Sequence, residues 1–117
     1  MSVGAPEWFF LEKYGELLRV AFDKIPYHVG SSLTQKTGWR DVDVRIILDD
    51  EKWEQYDFGE PSNPNGRCVV YNASFSELGR KMTGLPVDFQ LQQQSYANEN
   101  FPPPEHPRSA IGILWRK

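Results

Sequence analysis

Two segments of the chain alternate apolar and polar residues with a period of two, which is typical of β-strands. They are DVDVRIIL at residues 41–48 and PVDFQLQQQ at residues 86–94. In each segment the alternation places the apolar side chains on one face of a sheet and the polar ones on the other. The apolar positions are Val42, Val44, Ile46, Val87, Phe89 and Leu91. The pattern therefore predicts two strands that bury one face and expose the other.

Helical spacing predicts a long helix from about Pro6 to Lys24. Pro6 suits the first helical turn, and Glu7 complements the positive end of the helix dipole. Apolar residues then recur at intervals of three and four, as on a helix face that packs on a core. This predicted face comprises Phe10, Tyr14, Leu17 and Ala21, flanked by Leu11, Leu18 and Phe22. Pro26 ends the helix, and residues 27–29 are long enough for a short strand.

The remaining segments have weaker patterns. Ser74 and Glu77 have capping-box spacing, and together with Gly84 they predict a helix over residues 74–84. The other predictions, in chain order, are a loop or single helical turn at 32–40, a long surface loop at 49–67, a short strand at 68–71, an extended proline-rich connector at 95–108 and a last strand at 109–116. This order of elements indicates an α+β fold, with a small mixed β-sheet backed by helices.

Composition narrows the class of protein. The 117 residues are predicted to form one domain, 1–117. A net charge of −3 gives no electrostatic case for broad, non-specific nucleic-acid binding. No apolar run reaches the roughly 20 residues that a membrane helix needs, and the N-terminus lacks a basic leader. Cys68 is the only cysteine, so we expect no internal disulfide and a reducing, cytoplasmic setting.

Three acidic residues are candidates for a metal site. Asp41 and Asp43 lie two apart on a strand, so their side chains project from the same face about 6.5–7 Å apart. Asp88 stands on the polar face of the second predicted strand and would join them if the two strands are neighbours. Like charges held together need a compensating cation, and Mg²⁺ prefers oxygen ligands. The alternative interpretation is a solvated strand face that binds nothing.

A Gly-Ser pair precedes these carboxylates. Gly30 would let the backbone turn sharply and approach a ligand closely. Ser31 and Ser32 would offer hydroxyl and backbone N–H groups to phosphate oxygens. Taken alone, the pair is more typical of an ordinary turn. His28, just before it, is expected to be a packed or hydrogen-bonded histidine.

The segment VGSSLTQKTGWRDVDVRIIL, residues 29–48, resembles the signature of the DNA polymerase beta-like nucleotidyltransferase superfamily. That signature is an apolar residue, Gly-Ser, a short spacer, and Asp-x-Asp in a strand with apolar neighbours. Nine residues separate Ser31 from Asp41 here. Asp88 matches the third acidic residue, which the family carries on a later strand. The spacer departs from the Arg-rich composition of many small members, and we expect no second domain that could grip a polymer.

The resemblance implies a function and a set of roles. The protein would move a nucleoside monophosphate from a nucleoside triphosphate to a hydroxyl acceptor, which could belong to a protein, an RNA or a small molecule, and release pyrophosphate. Asp41 and Asp43 would bind Mg²⁺ or Mn²⁺, and Asp88 would assist the metal that activates the acceptor. Gly30 and Ser31 would hold the terminal phosphates.

Several alternatives stay open at this point. Ser32 and Lys36 are further candidates for the nucleotide site, although solvated surface charge is the commoner role of a lysine. The same fold could also serve as a catalytically inactive module that binds a nucleotide or a protein partner. A metal-dependent phosphohydrolase would use the same carboxylates with water as the acceptor.

Overall fold

A computed structural model describes residues 3–113 of the chain. Within that range it contains helices and strands in an irregular order. They are α1 (Glu7–Phe22), β1 (Tyr27–Val29), α2 (Ser31–Thr34), β2 (Val42–Leu48), α3 (Asp50–Tyr56), β3 (Gly59–Glu60), β4 (Asn63–Pro64), α4 (Gly66–Thr83), β5 (Val87–Gln93), α5 (Gln94–Asn100) and β6 (Ser109–Ala110).

The main sheet has four strands in the order β5-β2-β1-β6. β2 and β5 run parallel, whereas β1 runs antiparallel to both β2 and β6. The strands β3 and β4 form a separate two-stranded hairpin. The α+β fold with a small mixed sheet backed by helices, as predicted from the sequence, is confirmed.

One face of the sheet forms the core together with α1 and α4. The apolar residues at the alternating positions of β2 and β5 that face these helices are almost completely buried, as the alternation predicted. They pack with a cluster of aromatic rings, in which Phe22 of α1 lies 5.9 Å from Phe89 of β5 and 5.1 Å from Phe75 of α4, measured between ring centroids. The opposite face of β2 and β5 carries polar side chains and is only partly covered.

The first helix was predicted correctly, but its buried face is rotated from the predicted one. Phe10 and Leu17 are 42% and 48% exposed, and the residues that are buried include Leu11, Tyr14, Leu18 and Phe22. Ala21 is exposed as well. The reason is that small and polar residues occupy part of the buried face, so the apolar residues alone do not mark it.

The rotated face of α1 receives the segment that follows β6. Gly112 has a φ of +74°, and a Cβ there would overlap the backbone of Gly15. The buried carboxylate of Glu12 accepts a hydrogen bond from Gly112 N at 2.9 Å. Two glycines and one glutamate therefore fix the end of the described chain against α1.

The loop predicted at 49–67 is wrong in part, since α3 and the hairpin β3–β4 lie there. Helix α3 is short, and Trp53 anchors it: the indole is 1% exposed and donates a hydrogen bond to Gly59 O at 2.8 Å. Seven residues with one buried aromatic offer little helical periodicity. This explains why the sequence pattern did not reveal the helix.

The strand predicted at 68–71 is also wrong, because those residues belong to α4. The cap is Asn65, whose side chain accepts from Cys68 N at 3.3 Å, and not Ser74. Gly84 ends the helix with a φ of 73°, as predicted. The buried face of α4 contains polar residues, which removed the apolar periodicity that would have indicated one long helix.

Polar side chains of α4 accept hydrogen bonds from the free edge of the sheet. β5 is an edge strand, and its outward N–H groups at Phe89 and Leu91 donate to Ser76 Oγ at 2.8 Å and to Asn72 Oδ1 at 2.9 Å. An uncovered edge strand is a site for unwanted pairing with other chains. Helix α4 therefore covers both the apolar face and the open edge of β5.

The two C-terminal segments both differ from their predictions. The connector predicted at 95–108 begins inside α5 and becomes irregular only after Asn100. The predicted last strand is present only as the two-residue β6, and its predicted residues 114–116 lie outside the described part of the chain. Among residues 3–113, none of the helices has the length and apolar character needed to cross a membrane.

Candidate functional site

The polar faces of β2 and β5 form a grid of three residue pairs. Because the strands are parallel and in register, Asp43 lies opposite Asp88, Arg45 opposite Gln90 and Ile47 opposite Gln92. The first pair supplies two neighbouring carboxylates. The sequence could predict that both aspartates lie on polar strand faces, and the register of the structure brings them side by side.

Gly30 lies directly against the first of these carboxylates. Its backbone has a φ of +80° and a ψ of −166°, a conformation that is essentially restricted to glycine. A Cβ at this position would overlap Asp43 Oδ2 and lie 3.1 Å from Asp43 Cγ. Since β1 pairs with β2 so that Val29 lies opposite Asp43, the Gly-Ser turn is held beside the carboxylate by the sheet itself. The close approach of Asp43 explains why position 30 requires a residue without a Cβ.

Arg45 occupies the centre of the grid. Its Nη2 lies 3.6 Å from Asp43 Oδ1 and 3.7 Å from Asp88 Oδ2, and its side chain is only 13% exposed. Its Nη1 donates to two backbone carbonyls, Val44 O at 3.0 Å and Asp88 O at 2.7 Å. The guanidinium is thus oriented by the backbone and offsets one of the two negative charges, which leaves the three groups with a net charge of −1.

The electrostatic environment raises the pKa of Asp43. Burial has the largest effect, and the negative charges of Asp88 and Asp41 add to it, whereas Arg45 acts in the opposite direction. A carboxylate that is harder to ionise than usual is one that gains from a nearby cation. The acidic end of the grid is therefore a place where positive charge would be stabilised.

A cavity of about 320 Å³ lies over this grid and is lined by every residue of it except Asp88, which stands beside the cavity as the neighbour of Asp43. Its floor includes Asp43, Arg45 and Gln90, and Gly30 borders it at one side. The opposite wall comes from residues 101 and 105–108, after α5. The volume lies at the lower end of the range for small-molecule sites, about 300–1,000 Å³.

The wall is held in place by Arg108. Its Nη2 donates to Phe101 O at 3.2 Å and to Asn98 Oδ1 at 3.1 Å, and it lies 3.5 Å from Ala97 O. His106 contacts Phe101 edge-on, with ring centroids 5.6 Å apart. Sequence reasoning missed this wall entirely, because residues 101–108 carry no pattern that associates them with β2 and β5.

The structure does not bring every candidate residue into the cavity. Asp41 precedes β2 and is exposed, and Lys36 is exposed in the segment between α2 and β2. Ser31 is half-buried at the start of α2, where its carbonyl accepts from Gln35 N at 2.7 Å. These three residues do not line the cavity, and neither does Asp88, so their roles in binding stay predictions.

Ser32 is buried, and its hydroxyl contacts a histidine. Ser32 Oγ lies 2.7 Å from His28 Nε2, and both side chains are 0% exposed. Burial lowers the pKa of His28 to about 4, so the imidazole is neutral at pH 7. The expected packed or hydrogen-bonded histidine is confirmed, and the burial of Ser32 disfavours its predicted contact with phosphate.

The donor atoms of this site suit a single cation that is held partly by phosphates and water. They do not form a cluster of protein ligands that would enclose a cation by itself. Among residues 3–113, no group of three or more His, Cys, Asp and Glu side chains is close enough together to hold a metal ion. Asp43 and Asp88 do present neighbouring carboxylates beside a cavity, with a net negative charge after Arg45 is counted. Mg²⁺ is commonly held by one or two carboxylates together with substrate phosphates and water. By this measure, the two aspartates fit such an ion.

Comparisons with known proteins give no relative for this chain. No protein-family model, no curated protein and no solved structure matches it.

Proposed function

We propose that the protein binds a nucleoside triphosphate in this cavity and transfers its nucleoside monophosphate to a hydroxyl group, with release of pyrophosphate. The observation that carries the proposal is the pairing of Asp43 with Asp88 across two parallel strands, with Gly30 held against Asp43. The same residues carry the resemblance of the sequence to the nucleotidyltransferase superfamily. Asp41 belongs to the motif, but its exposed position gives it a smaller part here.

Asp43 and Asp88 would hold Mg²⁺ or Mn²⁺ together with the phosphates of the substrate. The bound ion would neutralise charge on the phosphates and orient them for displacement. Arg45, fixed by two backbone carbonyls, adds one positive charge beside the same oxygens. Preorganised charge of this kind is the main contribution a protein makes to phosphoryl transfer.

In the reaction, the acceptor oxygen forms a bond to the α-phosphorus and the bond to pyrophosphate breaks. The hydroxyl proton must leave the acceptor, and a carboxylate beside the cavity can receive it. Asp88 suits this role, since its side chain is 39% exposed and can be reached by an acceptor that enters from solvent. The cavity wall formed by residues 101 and 105–108 would limit the access of water.

The test is incubation of the full chain with labelled nucleoside triphosphates and Mg²⁺ or Mn²⁺, alone and with cell extract. We expect pyrophosphate release and a labelled product, both reduced at least about a hundredfold in Asp43→Asn. Asp57→Asn is a matched control, because Asp57 is exposed at the end of α3, far along the chain from the grid. Free nucleoside monophosphate as the sole product would indicate a phosphohydrolase instead.

A second candidate is a nucleotide-binding or protein-binding module without transfer activity. The observation that favours it is Arg45, which already supplies the carboxylate pair with a counter-charge. This candidate expects nucleotide binding that does not depend on a divalent ion, and no product in any extract. Substitution Arg45→Leu separates the two: it should strengthen metal binding if the carboxylates are ligands, and should leave metal binding absent if they are not.

We also propose a cytoplasmic location. Cys68 is a free, buried thiol, which suits a reducing compartment. Secretion of the native protein into the medium or the periplasm, measured by fractionation, would contradict this assignment.

A further inference from the structure

The grid on the sheet changes in character along its length. Asp43 and Asp88 form its acidic end, whereas Ile47 and Gln92 form an apolar and amide end. Ile47 lies four positions after Asp43 along the strand, which corresponds to about 13 Å. On the floor of the cavity, a ligand therefore meets charged side chains at one end and neutral side chains at the other.

Two glutamine amides face this neutral end without partners of their own. Gln90 and Gln92 are half-buried on the polar face of β5 and line the cavity. Within residues 3–113, neither side-chain amide makes a hydrogen bond. Each amide offers one acceptor and two donors, and the two lie about 6.5–7 Å apart along the strand.

An aromatic ring completes the neutral end. Phe101 lines the cavity from the opposite wall, is 40% exposed, and makes T-shaped contacts with Tyr96 and His106. An aromatic ring that is partly exposed in a cavity can stack on a planar ligand. The side chain of Ile47 adds apolar surface on the floor.

We propose that this neutral end is a nucleobase subsite, in which Gln90 and Gln92 bond the polar edge of a base and Phe101 covers its face. The proposal rests on the proposed function, because it places the phosphates at Asp43 and Asp88. A wholly apolar ligand would leave both amides unpaired, which costs free energy in a partly buried site. Among the lining residues of the wall, Arg108 is already bonded to protein oxygens and Glu105 is acidic, so a second anionic group on the ligand would find little attraction there. A nucleoside triphosphate matches the polarity of both ends.

The first experiment is calorimetric titration of the four ribonucleoside triphosphates and of inorganic tripolyphosphate, with Mg²⁺, into wild type and Gln90→Leu/Gln92→Leu. We expect at least one nucleoside triphosphate to bind about tenfold or more tightly than tripolyphosphate in wild type. The double variant should lose that advantage and keep its affinity for tripolyphosphate. Gln55→Leu is the matched control, because Gln55 is exposed on α3 and outside the cavity. Equal affinities of wild type and double variant for every triphosphate would overturn the subsite.

A second measurement separates this proposal from the proposed function. Nucleosides without phosphate should shift the side-chain amide resonances of Gln90 and Gln92 in the full chain. Such shifts, together with no binding of any triphosphate, would support the subsite and contradict nucleotidyl transfer. Binding of tripolyphosphate with no shift from any of the four nucleosides would contradict the subsite and leave the phosphate site standing.

Discussion

The two faces of the parallel pair β2 and β5 share one backbone but carry opposite kinds of side chain. On the helix-covered face every apolar residue of β2 is at most 1% exposed. On the other face the residues are half-buried, and they include two like charges side by side, a cation held by carbonyls and two amides that make no hydrogen bond within residues 3–113. The first face has the composition that stability requires. The second keeps groups whose interactions are incomplete, as is expected of a surface that binds a ligand.

The largest expected difference between the faces is in stability. Phe89→Ala should lower the free energy of unfolding by about 3–5 kcal/mol, because the ring is fully buried among other aromatic rings. Gln90→Ala, the next residue on the opposite face, should change it by no more than about 0.5 kcal/mol. Denaturant unfolding followed by tryptophan fluorescence measures both. Similar losses from the two substitutions would contradict the division of roles.

The next effect concerns pH and the buried pair His28 and Ser32. The pKa of His28 in the folded protein is about 4, below its unfolded value of 6.5, so the unfolded state binds the additional proton between these values. Stability should therefore fall as the pH is lowered from 6.5 to 4, by about 3 kcal/mol from this group alone. Below pH 4 the loss should be complete.

His28→Gln should remove this component of the pH dependence, whatever its effect on stability at pH 7. Unfolding free energies measured at several pH values provide the comparison. Parallel curves for wild type and His28→Gln would show that His28 is not held neutral by the fold.

A smaller effect should come from the contact between Gly30 and the polar face. Gly30→Ala places a Cβ against the carboxylate of Asp43 and forces alanine into a backbone conformation that it rarely adopts. We expect a loss of about 1–3 kcal/mol in stability together with weaker nucleotide binding. Gly38→Ala is a useful control, since Gly38 also has a positive φ but a Cβ there would meet nothing within 4 Å. Equal nucleotide affinity in both variants would show that Gly30 does not contribute to nucleotide binding.

The smallest expected effect is a gain in stability. The pKa of Asp43 is raised in the folded state, so its ionisation costs stability as the pH rises from the ordinary aspartate range through that raised pKa. Asp43→Asn should remove the cost, offset in part by the lost attraction to Arg45, and raise stability at pH 7 by at most about 1 kcal/mol. The gain should disappear below about pH 3, where aspartates are protonated in both states. A loss of stability at pH 7, relative to Asp57→Asn, would mean that the carboxylate supports the fold.

The sequence predicted those parts of the fold whose pattern is local. Alternation along β2 and β5 has a period of two residues, and it correctly separated Val44 from Asp43 and Phe89 from Asp88. Helix α4 was divided into a strand and a helix because its buried face holds Asn72 and Ser76, which bond the edge of β5. Such polar residues have no periodic signature until the partner strand is known.

The candidate site shows the same limit. Polar faces and the Gly-Ser turn could be predicted, but not the register that places Asp43 opposite Asp88 or the position of Arg45 between them. The wall of residues 101 and 105–108 depends on contacts between segments far apart in the chain. Distant contacts of this kind are set by the whole fold and not by local sequence.

The most direct test of the central claim is calorimetric titration of nucleoside triphosphates, with and without Mg²⁺, into wild type and Asp43→Asn/Asp88→Asn. The Asp57→Asn variant controls for loss of an acidic side chain. We predict Mg²⁺-dependent binding in wild type and in the control, and its loss in the double variant with the fold intact by circular dichroism. Binding that is unchanged in the double variant, or absent from wild type with and without the metal, would contradict a nucleotide site on the polar face of β2 and β5.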